Sequence, residues 1–118
     1  MTPDEAMRRI DGEMSHVWVV RTFLKHSEEA EEAEGLYDVV RTLYDSCLAL
    51  GPAWTAQDAD AYLKMTRKKL PKLKAAADDF TRLRPDVSEH TNFKMAEASL
   101  HTALGQIGRL LGEAESDE

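Results

Sequence analysis

"HVWVVRTFLKH", residues 16–26, is the stretch on which the fold turns. Alone, its β-branched run reads as a strand. Its flanks settle the matter, because Met7, Ile10 and Met14 before it continue through Val17, Arg21 and Leu24 at alternating steps of three and four. That spacing is one face of a helix, and the neighbours on both sides keep it. The start of this helix is also written: Thr2 as cap, Pro3 in the first position and Glu5 closing a capping box.

The same periodicity predicts three further helices. After the acidic stretch "SEEAEEAEG" at 27–35, taken as a solvated linker or an exposed first turn that Ser27 caps, comes a stripe of Leu36, Val40, Leu43, Cys47 and Leu50. Gly51-Pro52 is expected to stop it. Thr55 then caps a third helix with Trp54 folded onto Ala59, and the stripe Ala59, Leu63, Thr66, Leu70, Leu73, Ala77 and Phe80 stays in phase through Pro71. A proline inside a helix removes a backbone donor and crowds the preceding turn, so a kink is expected there. Pro85 ends this helix and Ser88 caps a fourth, with stripe Phe93, Ala96, Leu100, Ala103 or Leu104, Ile107 and Leu110 or Leu111. The tail at 113–118 is expected to be disordered. The expected fold is all-α, an antiparallel up-down four-helix bundle with a Pro-kinked third helix, in one domain spanning 1–118.

Bulk composition narrows the setting. Hydrophobic content of 42% against 31% charged residues is ordinary for a folded water-soluble chain. No apolar run approaches the roughly 20 residues that cross a bilayer. The charged stretch "MTPDEAMRRIDGE" lacks the apolar segment of a secretory signal. Cys47 is the lone cysteine, which rules out an internal disulfide and fits the cytoplasm; its place on an apolar stripe suits a core filler. The net charge of -7 disfavours nucleic acid as a partner, since phosphates need a positive field. Lys64, Lys68 and Lys72 still align on one side of the third helix, an arrangement usual for a solvated face, with an acidic partner as the functional alternative.

Four groups of residues could carry chemistry. Arg21 falls between Val17 and Leu24, where an apolar residue is expected. A buried guanidinium needs a carboxylate or an outlet to solvent, and Asp38, with Asp45 further along, is the matching acid on the next helix. An anion-binding group inside the bundle is the alternative. Arg21 and His26 also form R-x4-H, which resembles the catalytic motif of HEPN-type ribonucleases. The resemblance implies a helical dimer in which the arginine stabilises phosphoryl charge and the histidine moves protons. Glu13-Met-Ser-His16 resembles half of the di-iron pattern of ferritin-like bundles; Glu97 and His101 form a second possible pair. The further ligands such a site needs are missing, so no cofactor is expected.

The remaining signals concern association. Gly105, Gly108 and Gly112 share one helix face, near Ala98 and His101. Each interior glycine costs about 1 kcal/mol relative to alanine, which close approach of another helix would offset. Gly112 at a fraying end is the plainer explanation. On the first helix Val19 and Phe23 lie off the main stripe, with Val20 between. A helix apolar on more than one side is normally covered on more than one side. These residues therefore predict an interface, with a homodimer or a protein partner docked on the first helix. The expected function is protein–protein association, as an adaptor, regulator or assembly module rather than an enzyme.

Overall fold

The computed structural model describes residues 1–116, and every element in it is a helix: α1 Pro3–Lys25, α2 Glu28–Glu31, α3 Leu36–Ala56, α4 Ala59–Val87 and α5 Thr91–Ser116. Five helices replace the four expected, because the acidic stretch contains a helical turn of its own. Ser27 accepts the Ala30 N–H at 3.2 Å and starts α2, whose Ala30 is buried while its glutamates stay in water. Thr2 caps α1 as its sequence requires, accepting from Glu5 N at 3.1 Å. The longest extent of the molecule, 44 Å, matches the length of α4, whose 29 residues rise about 1.5 Å each.

The core is one continuous apolar cluster. It is built by α1 packing on α5, α3 and α4, by α3 on α4 and by α4 on α5, while α2 lies against α1 and α3. Met7, Ile10, Val17 and Leu24 of α1 meet Leu36 and Leu43 of α3, Leu63, Leu73 and Phe80 of α4, and Leu100 and Ile107 of α5 within that cluster. Three links show that α4 and α5 run in opposite directions: Arg84 to Glu97, Thr81 to His101 and Arg67 to Glu115. Tyr62 was missed by the stripe for α4, yet its ring is fully buried. Its hydroxyl donates to Asp11 Oδ1 on α1 at 3.0 Å and its ring lies against Trp54 of α3, so three helices meet on it.

Several expected breaks are absent, each for a local reason. Gly51-Pro52 does not stop α3, which continues to Ala56. Pro52 is on the exposed side, so the carbonyl it leaves without an N–H partner, that of exposed Leu48, faces water. The turn comes at Gln57, in the left-handed conformation (φ 54°), and Asp58 rather than Thr55 caps α4, accepting from Ala61 N at 3.0 Å. Trp54 is thus inside α3 and not ahead of a cap, its ring tilted against that of Tyr62 at 6.1 Å. At Pro71, by contrast, α4 continues as one helix as its phase predicts, with Pro71 exposed and one buried face, Thr66 before and Leu73 after. Pro85 sits in the last turn of α4, not beyond it. Ser88 ends α4 rather than capping α5, accepting from His90 N, while His90 Nδ1 accepts from Asn92 N at 3.0 Å.

The tail also departs from expectation. Residues 113–116 are helical, Ala114 is buried, and Glu113 and Glu115 pair with Arg109 and Arg67. Residues 117 and 118 lie outside the described residues. On α3 the buried face is Leu36, Val39, Leu43, Ser46 and Leu50. Val40 and Cys47 are turned to its margin and half-buried, toward Arg21.

Candidate functional site

Arg21 occupies the most unusual position in the structure. It is 9% exposed, and its guanidinium carbon lies 4.6 Å from the ring centroid of Trp18 and 4.6 Å from that of Tyr44. The expected carboxylate partner is absent. Asp38 lines a separate shallow groove with Lys72 and Asp79, and Asp45 pairs with Arg41 at 3.7 Å. Two aromatic faces replace the acid. A desolvated cation over a ring gains on the order of 1–2 kcal/mol, and a guanidinium stacks flat where an ammonium cannot. Helical spacing supplies one ring, since Trp18 is one turn before Arg21; α3 supplies the other, with Trp18 and Tyr44 themselves 5.8 Å apart. The two rings flank the guanidinium from adjacent sides and leave hydrogen-bonding capacity unused. Nη1 makes one long contact, 3.4 Å, to Thr22 Oγ1, and the buried Nε has no partner.

Arg21 lines a groove of about 550 Å³ between α1, α2 and α3. Leu24, Leu36 and Val40 form apolar walls, with Tyr37 and Tyr44 on the α3 side. Outward from the groove, Tyr37, Tyr44 and Leu48 repeat at helical spacing, so α3 carries an aromatic and aliphatic strip on its solvent side. Tyr37 is 69% exposed, Leu48 52% and the adjacent Trp18 41%. Cys47, half-buried beside this site, has its thiol pushed up to about 11 by burial, with Asp11 adding and Arg21 opposing, so it is a protonated thiol at neutral pH.

The other candidate residues are dispersed. Of the predicted interface on α1, Val20 is buried and Phe23 is half-buried edge-on to Phe93 of α5 at 5.0 Å, so both are spent inside the fold. Only Val19 remains outside, 63% exposed. Gly105 and Gly112 face open space, and a Cβ on Gly108 would meet Leu70 and Lys74 at an ordinary 3.8 Å. Among the described residues no helix therefore approaches the glycine face closely enough to require it. His26 is exposed at the end of α1, and its motif partner Arg21 is buried against Trp18 and Tyr44.

The residues of the metal reading are occupied elsewhere or open to solvent. Glu97 accepts from Arg84 Nε at 3.0 Å, His101 Nε2 lies 2.6 Å from Thr81 Oγ1, His16 is exposed and Glu13 half-buried. Among the described residues no three His, Cys, Asp or Glu side chains are grouped to hold a metal ion. Lys64, Lys68 and Lys72 are all exposed on α4. No described helix is long and apolar enough to cross a membrane.

The missed feature is the α3 strip and its link to Arg21. Its signal was visible as Tyr37, Tyr44 and Leu48 at seven- and four-residue steps. Comparison of the chain with protein-family models, curated proteins and solved structures finds no match.

Proposed function

We propose that this protein works by association in the cytoplasm, as one domain whose four long helices form an antiparallel up-down bundle bent at Pro71. Its binding face is that of α1 and α3, and the occupant is a second copy of the chain. The observation that carries this is the strip of Trp18, Tyr37 and Leu48, large apolar side chains exposed side by side along two packed helices. Scattered exposed hydrophobics are ordinary, whereas large ones aligned on one face mark contact surfaces. Aromatic residues with arginine nearby are also the composition typical of interface centres. A symmetric pair is the commonest assembly, and an apolar strip on one face can meet its own copy about a two-fold axis.

Light scattering at high micromolar concentration tests it. The wild type is expected to run as a dimer, and Tyr37→Asp with Leu48→Asp as a monomer with unchanged helix content by circular dichroism. A wild-type monomer at that concentration contradicts the proposal.

A further inference from the structure

We propose that the groove between α1, α2 and α3 is a binding site for a carboxylate carried on an apolar body, a medium-sized organic monoacid, with Arg21 as its anchor. The argument begins with what Arg21 lacks. A guanidinium nine-tenths buried, with an Nε that has no partner, is a group held short of its hydrogen bonds. Among the described residues no carboxylate is hydrogen-bonded to it. Planar two-point pairing with a carboxylate is what the guanidinium fork does best.

The groove supports the same ligand class. Its volume of about 550 Å³ falls within the range of small-molecule sites. Val40 and the rings of Tyr37 and Tyr44 offer an apolar wall that an inorganic anion would leave unused. The charges lining it are Arg21, Lys25 and Arg41 against Glu31 and Asp45. Arg41 and Asp45 pair with each other, which leaves two cations facing one carboxylate. That local excess is positive in a chain of net charge -7, and it suits a single negative charge rather than two.

Octanoate is the probe, titrated into the full chain at low millimolar concentration and followed by calorimetry and by tryptophan fluorescence, since Trp18 stacks on the anchor. Saturable binding, at least about tenfold weaker for uncharged octanamide and lost in Arg21→Met, is the expected result; an ionic hydrogen bond of about 1.5–3 kcal/mol sets that factor. In the wild type, octanoate is also expected to shift the Arg21 Nε–H resonance downfield, a readout that does not depend on any variant folding. Binding of octanamide as tightly as octanoate, an unmoved Arg21 resonance, binding of inorganic phosphate alone, or no binding of octanoate each overturns the proposal. Light scattering on the same samples reports the dimer separately, so either idea can fail without the other.

Discussion

Tyr62→Ala is expected to lose about 3–5 kcal/mol in urea unfolding, the range for deleting a fully buried ring. The ring is fully buried where α1, α3 and α4 meet, and its loss opens a cavity that Trp54 and the fixed helices around it cannot close. Tyr62→Phe separates packing from hydrogen bonding. It keeps the ring and removes only the bond to Asp11, a half-buried carboxylate that water can still reach, so about 1–2 kcal/mol is expected. The pH dependence carries the same signature. Burial first, then the charge and hydrogen bond of Asp11, raise the hydroxyl of Tyr62 far above its ordinary value near 10. The folded chain therefore keeps a proton that the unfolded chain releases. The contribution is fully present below about pH 10 and falls by about 1.4 kcal/mol per unit above it, in the wild type but not in Tyr62→Phe. Equal losses for the Ala and Phe variants would show that the ring does not fill the core.

Gly35→Ala and Gly105→Ala are expected to move stability in opposite directions in the same measurement. Gly35 begins α3 at φ 95°, a conformation unfavourable for residues with a Cβ, and an added Cβ would lie 3.1 Å from Leu83 Cδ1. A loss of about 1–3 kcal/mol follows from backbone strain and the displaced leucine. Gly105 lies inside α5 with nothing within 4 Å of an added Cβ. Alanine there is expected to gain about 0.5–1 kcal/mol through helix propensity alone. A loss at Gly105 would mean that a second subunit packs closely on the glycine face.

Much of the fold is readable from periodicity. The stripes of α1, α4 and α5 match the buried faces almost residue for residue, because a long amphipathic helix repeats its signal many times. The caps at Thr2 and Ser27 form, whereas several other signals that rest on one or two residues did not carry through. Pro52 fails as a stop because one lost hydrogen bond on the solvent side is a small penalty to a helix held by Leu43 and Leu50. Residues 113–116 of the acidic tail are helical because Ala114 buries and two arginines meet its glutamates.

The site was half legible. Arg21 stood out as a polar residue on an apolar stripe, but its environment did not. Trp18 is close in sequence, whereas Tyr44 comes from another helix, and stacking on two rings leaves no pattern comparable to an acid spaced opposite a base. Val20 and Phe23 looked like surplus surface because the width of the α1 face that α5 covers depends on packing, as the Phe23–Phe93 contact shows.

The central claim is that Arg21 serves a ligand or partner and not the fold. Urea unfolding of Arg21→Met tests it most directly. An arginine without a carboxylate partner contributes little net stability, since its desolvation offsets the ring contacts, and an apolar residue of similar length is neutral or stabilising in such places. Arg21→Met is therefore expected to match the wild type or exceed it, by up to about 4 kcal/mol. A loss of about 3 kcal/mol or more, the usual result of breaking a buried ion pair, would make Arg21 a structural residue and contradict the claim.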